Sequence, residues 1–187
     1  MPVPPLHPVT GLLPLGRHHC TSSDIERAFV ADASFSASTT RRAIWDDWQQ
    51  AVALLESTVT VHAAWLGGSF TSAVIDPADI DVTFIVNGDD FRSRTPAEQK
   101  VVSVFATANQ VKLALGLRVD TYVIAWESVP QPAPPGASGL QDAYYWHRGH
   151  WDDWWLRRRV TPKGTPPTSA DAPPQRGYLE VPFSDYT

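Results

Sequence analysis

The sequence predicts an α/β (α+β) domain, a mixed sheet flanked by helices. Three observations predict it. Segments with apolar residues at helical spacing alternate with segments that repeat every second residue, the mark of helices interleaved with strands. The strand-like stretches at residues 59–66, 79–86 and 118–126 are bounded by Gly67-Gly68, Asn87-Gly88 and Pro130. The chain has 187 residues, 43% hydrophobic and 19% charged. That suffices for one packed core, so residues 1–187 are expected to form a single domain.

Residues 1–20 are broken by prolines and are expected to run extended. Ser22 or Ser23 is placed to cap a short helix carrying Ile25, Phe29 and Val30. Thr39 to Glu56 reads as a longer helix, because Ile44, Trp48, Ala51, Val52 and Leu55 make one apolar stripe. Val59 to Leu66 is rich in β-branched residues and reads as a strand ending at Gly67-Gly68. Phe70 to Ala73 reads as a tight turn or short helix. Asp79 to Val86 alternates, with Ile80, Val82, Phe84 and Val86 on one face and Asp79, Asp81 and Thr83 on the other. Asn87-Gly88-Asp89-Asp90 reads as a turn. Pro96 opens a helix expected to reach Leu115 and to stop at Gly116. Arg118 to Trp126 is another strand. Pro130 to Gly139 is a loop, residues 140–160 an aromatic and basic helix, and residues 162–176 a flexible loop. Tyr178 to Phe183 makes a last strand. The core is therefore expected at about residues 38–126, with an aromatic and basic appendage at about 140–187.

Net charge is −5, which does not advertise a broad nucleic-acid-binding surface. Cys20 is the single cysteine, so no intrachain disulfide can form, in keeping with a cytoplasmic setting. Met1-Pro2-Val3-Pro4-Pro5 lacks the basic and apolar regions of a signal peptide, and no apolar run is long enough to span a bilayer. His18-His19-Cys20 cannot all face one ion, so packing or surface roles are expected for them.

The chemistry is concentrated between Gly67 and Asp81. Gly67 and Gly68 let the backbone turn sharply and approach a phosphate, to which backbone N–H groups and the Ser69 hydroxyl can donate. Ten residues on, Asp79 and Asp81 stand at i and i+2 of a strand and project together, as a pair gripping a divalent metal must. Asp120 lies within an apolar strand, where an acid is costly unless paired or metal-bound. It is the candidate third carboxylate; Arg118 or Lys112 is its alternative, structural partner.

This constellation, Gly68-Ser69, Asp79-x-Asp81 and a later strand Asp120, resembles the DNA polymerase β-type nucleotidyltransferase superfamily over about residues 59–126. The resemblance implies Asp79, Asp81 and Asp120 as catalytic metal ligands for Mg²⁺ or Mn²⁺, with Asp120 also a base toward the acceptor hydroxyl. It implies Gly67, Gly68 and Ser69 as the nucleotide-binding turn. Looser similarity, to small bacterial and phage proteins of this superfamily, lies in Gly11-Leu12-Leu13-Pro14 with His19 and Thr21, and in Lys163-Gly164 or Gly177-Tyr178-Leu179-Glu180-Val181. The implied function is transfer of NMP from an NTP, such as ATP, to a hydroxyl of an RNA end, a protein side chain or a small molecule, with release of pyrophosphate. A small standalone chain of this kind also resembles toxin–antitoxin and defence enzymes. The alternative is a non-catalytic nucleotide- or partner-binding module of the same fold.

Tyr144 to Arg159 holds four of the eight tryptophans, and residues 141–163 carry five cations against three acids. Trp146, Arg148, Arg157 and Arg158 are candidate contacts to the acceptor or the base, stacking on rings and pairing with phosphate. The plainer reading is a helix packing its aromatics on the core with a solvated basic face. Arg41, Arg42 and Lys112 are expected on solvated helix faces.

Overall fold

The computed structural model describes residues 2–131, 139–162, 164–184 and 186. Lys163 and most of the loop expected at Pro130 to Gly139 lie outside the described residues. Among these, five strands form one mixed sheet: β1 (Gly16–His19), β2 (Val61–Gly67), β3 (Ile80–Asn87), β4 (Val119–Trp126) and β5 (Gly177–Pro182), in the order β1-β5-β2-β3-β4. The α/β expectation holds. The pairs β1–β5 and β3–β4 are parallel, and β5–β2 and β2–β3 antiparallel. Because β5 sits inside the sheet, the C-terminal segment is integral to the domain and not an appendage to it.

The alternation of β3 is realised as two buried faces. Ile80, Val82, Phe84 and Val86 enter one core with α1 (Ser22–Phe29), α2 (Arg41–Glu56), α4 (Pro96–Phe105) and α5 (Gln110–Leu115). Trp45 and Trp48 of α2 are fully buried there, and Trp48 stacks on Phe84 at 5.5 Å. Ile85 of β3 joins the opposite core with Ala63, Trp65, Ile124 and Tyr178, under α6 (Gly139–Leu156). Both Trp155 and Tyr144 of α6 are buried in it.

Several local expectations are corrected. Thr21, not Ser22 or Ser23, caps α1, through a capping box with Asp24. Asn87 does not enter a turn but caps a short helix, α3 (Gly88–Ser93), by accepting from the Asp90 N–H at 2.8 Å. The single helix expected from Pro96 to Leu115 is two, α4 and α5. Asn109 between them takes φ 61°, a left-handed conformation that no continuing helix allows. Residues 162–176 are not a free loop where described. Asp171 accepts from the backbone N–H groups of Thr168, Thr161 and Val160, and these bonds hold its carboxyl well below the usual range. No helix among the described residues is long and apolar enough to cross a membrane.

Candidate nucleotide site

The end of β2 and the start of β3 bring the glycine-serine turn and the acids together. Gly67 and Asp81 are register partners. Gly68 has φ 68°, and a Cβ there would lie 1.6 Å from Oδ2 of Asp81. The carboxylate thus rests directly on the Gly68 backbone, an approach open to glycine alone. Gly67 serves packing instead: a Cβ would meet Cε3 of Trp155 at 2.4 Å. The indole is fixed there by donation of Nε1–H to Thr83 Oγ1 at 3.0 Å.

Asp81 and Asp120 are register partners on the parallel strands β3 and β4. Asp79 lies just before β3. Burial, and then the charges of Asp79 and Asp120, push the Asp81 carboxyl up to about 6; Lys112 and Arg176 pull the other way. The charges of Asp79 and Asp120 thus both reach Asp81. Their side chains do not converge: among the described residues no three His, Cys, Asp or Glu are gathered closely enough to hold a metal ion. Asp79 is ion-paired with Lys112 of α5. Asp120 accepts from the Asn109 N–H at 2.7 Å and from the Tyr122 hydroxyl at 3.4 Å. Arg118, the other expected partner of Asp120, pairs with Asp47 at 2.7 Å. For a hard divalent cation to be shared here, Asp79, Asp81 and Asp120 would have to draw together.

A cavity of about 670 Å³ opens beside the turn. Gly68, Ser69, Ser72 and Asp81 line it. Thr10 to Leu12, Ala73 and Val74, Trp154 and Trp155, Arg157 to Arg159, Thr168, Asp171 and Arg176 complete the lining. Arg176 is only 7% exposed. It donates to Thr71 Oγ1 at 2.7 Å and to Gly177 O at 3.3 Å, and no carboxylate pairs with it directly among the described residues. Burial lowers its guanidinium to about 10, a range in which it stays charged. Arg158 is exposed and has no carboxylate partner among the described residues, whereas Arg157 pairs with Asp153. Four arginines, of which Arg157 is already paired with Asp153, share the lining with the carboxylates of Asp81 and Asp171.

Of the predicted site residues, Gly68, Ser69, Asp81, Arg157 and Arg158 line this cavity. Arg148 does not: it bonds the Tyr144 hydroxyl at 2.9 Å and lies over the Trp65 ring. Trp146 is on the outer face of α6, 64% exposed. Arg41, expected on a solvated face, is buried and donates to five backbone carbonyls. Arg176 was not singled out by the sequence; its one signal is a cation immediately before the apolar strand Tyr178 to Val181. His19 pairs with Glu180, His18 bonds Pro14 O, and burial pushes the Cys20 thiol up to about 12, so this trio forms no metal centre.

A family of unknown function (DUF6932) matches residues 5–181 of the chain. No curated protein and no solved structure matches it.

Proposed function

We propose that this chain, which belongs to the DUF6932 family of unknown function, is a metal-dependent nucleotidyltransferase that moves NMP from an NTP to a hydroxyl and releases pyrophosphate. The observation that carries the reading is the shared cavity of Gly68, Ser69, Asp81 and the arginines 157, 158, 159 and 176. It brings a glycine-serine turn, four arginines and a carboxylate together, the parts that a nucleotide's phosphates and their metal would use. In this reading the Ser69 hydroxyl and the turn's N–H groups hold the terminal phosphates, and Arg158 and Arg176 neutralise them. Asp79 and Asp81 hold Mg²⁺ or Mn²⁺, with Asp120 as third ligand and base toward the acceptor hydroxyl. The metal, when bound, would polarise the phosphates and lower the pKa of the attacking hydroxyl. Asp79 would release Lys112 to take up this role.

The test is incubation with each α-labelled NTP, Mg²⁺ and total RNA or cell lysate. Label should transfer with the native chain and fail with Asp79→Ala and Asp81→Ala, both still folded by circular dichroism. Undiminished transfer by both variants sinks the metal assignment.

One observation favours a second reading, a nucleotide-binding module without turnover: Asp79 is already paired with Lys112, and Asp120 already accepts from the Asn109 N–H. Calorimetry showing Mg-nucleotide binding, with no pyrophosphate released under any acceptor, would select it.

A further inference from the structure

The solvent face of α6 carries an aromatic ladder that neither core uses. Trp146, His150 and Trp154 succeed one another at intervals of four residues, so they lie on one line of the helix. Trp146 and His150 stack at 5.2 Å with planes 8° apart, and His150 and Trp154 at 6.1 Å and 18°. Trp146 is 64% exposed and Trp154 51%. Large apolar rings left in water in a continuous row cost free energy and mark a contact surface.

Two features say what covers it. The first is continuity: Trp154 also lines the cavity, and the ladder runs straight on to Arg157 and Arg158 at the cavity's mouth. The second is chemistry. Flat parallel rings accept the π-faces of bases, and guanidinium groups accept phosphates; the two together fit one polymer that carries both. Of the acids on α6, Asp153 is paired with Arg157 and Asp152 accepts from the Tyr178 hydroxyl, while Asp142 stands one turn before Trp146. From Trp146 to Trp154 the helix advances about 12 Å, the length of three to four nucleotides stacked at about 3.4 Å each.

We infer that the outer face of α6 is the acceptor platform: it binds a single-stranded nucleic acid, RNA or DNA, and delivers its terminal hydroxyl to the cavity. This rests on the nucleotidyltransferase reading of the cavity, whereas strand binding itself does not. In the transfer, the terminal hydroxyl oxygen bonds the α-phosphorus, the bond to the β-phosphate oxygen breaks, and pyrophosphate leaves with the electron pair. The hydroxyl proton passes through water to Asp120, which neighbours Asp81 in the sheet but does not itself line the cavity.

The test uses fluorescence anisotropy with end-labelled oligonucleotides of about ten nucleotides, single-stranded RNA, single-stranded DNA and duplex, without NTP. Binding of ATP, GTP, CTP and UTP to the native chain is measured separately by calorimetry. Single strands of either sugar should bind better than duplex, whose bases are already stacked. Trp146→Ala and His150→Ala should each weaken that binding about tenfold, with unchanged circular dichroism. Equal affinity for duplex and single strand, or binding untouched by both substitutions, overturns the platform. So does transfer of label from NTP to a lysate protein in place of added RNA or DNA. If ATP binds and oligonucleotides do not, the platform falls and the nucleotide reading stands. If oligonucleotides bind and neither ATP nor GTP, CTP or UTP does, the acceptor assignment falls together with the nucleotide reading, and only a strand-binding face remains.

Discussion

The Asp81 carboxylate lies on the Cα of Gly68, so closely that a Cβ would stand 1.6 Å from its Oδ2. Gly68 also has φ 68°. Gly68→Ala must therefore meet both a left-handed strain of about 1–2 kcal/mol and displacement of the acid. Gly116 separates the two effects, since it has φ 73° but nothing within 4 Å of where a Cβ would stand. Gly116→Ala should lose about 1 kcal/mol in urea denaturation and keep ATP binding. Gly68→Ala should lose more and bind no ATP by calorimetry. Native ATP affinity in Gly68→Ala would remove Asp81 from the site.

Asp81 should cost the fold stability at neutral pH. Its carboxyl is held at about 6 in the native state by burial and by Asp79 and Asp120, whereas in the unfolded chain it titrates near the ordinary value of about 4. Below about pH 4 both states are protonated and no penalty exists; it grows as pH rises and is complete above about pH 6. Asp81→Asn cannot ionise. It should raise the melting temperature by several degrees at pH 8, a gain of about 1–3 kcal/mol, with the gain vanishing near pH 4 and nucleotidyl transfer abolished throughout. Equal melting temperatures at pH 8 would mean that neither burial nor the neighbouring acids hold the Asp81 carboxyl above its ordinary value.

The faces of β3 and β4 were legible because period two is a local property of the chain; Asp81 and Asp120 could be set on one face from their positions alone. What brings residues together across the sheet was not. The strand Gly16–His19 carries two histidines and an arginine and pairs in parallel with residues 177–180, a contact that no local pattern announces. Asn109 stands in a run of helix-forming spacing, and its left-handed φ shows only in the break between α4 and α5. Arg176 is a loop cation until Thr71 and the cavity surround it. The acid motif was visible as spacing, while the pairing of Asp79 with Lys112 belongs to the tertiary fold.

Arg158 should carry nucleotide affinity without carrying the fold. It is exposed, lines the cavity and has no carboxylate partner among the described residues. Arg158→Ala is expected to weaken ATP binding about tenfold, the loss of one charge-assisted contact, with the melting temperature unmoved. The effect should shrink as salt is raised, because the site is open to solvent. Affinity equal to native at low salt would exclude Arg158 from the phosphates.

Arg41 holds the segment that follows the glycine-serine turn. Only 1% exposed, it donates to the carbonyls of Phe70, Ser72, Val74 and Ile75, and to that of Phe29 in α1. Its guanidinium lies 3.8 Å from the Phe35 ring centroid. Burial lowers its pKa to about 10, so it remains charged at neutral pH. No neutral side chain can satisfy five carbonyls in that geometry, and a lysine has three donors on one atom instead of a planar fork. Arg41→Met should destabilise the fold by about 3–5 kcal/mol, since it leaves buried carbonyls unpaired. Arg41→Lys should recover only part of that and should still bind ATP more weakly than the native chain, because the turn at Ser69 loses its support. Urea denaturation gives the first quantity and calorimetry at a temperature where Arg41→Lys is fully folded gives the second. A fully folded Arg41→Lys with native affinity would show that the turn holds its shape unaided.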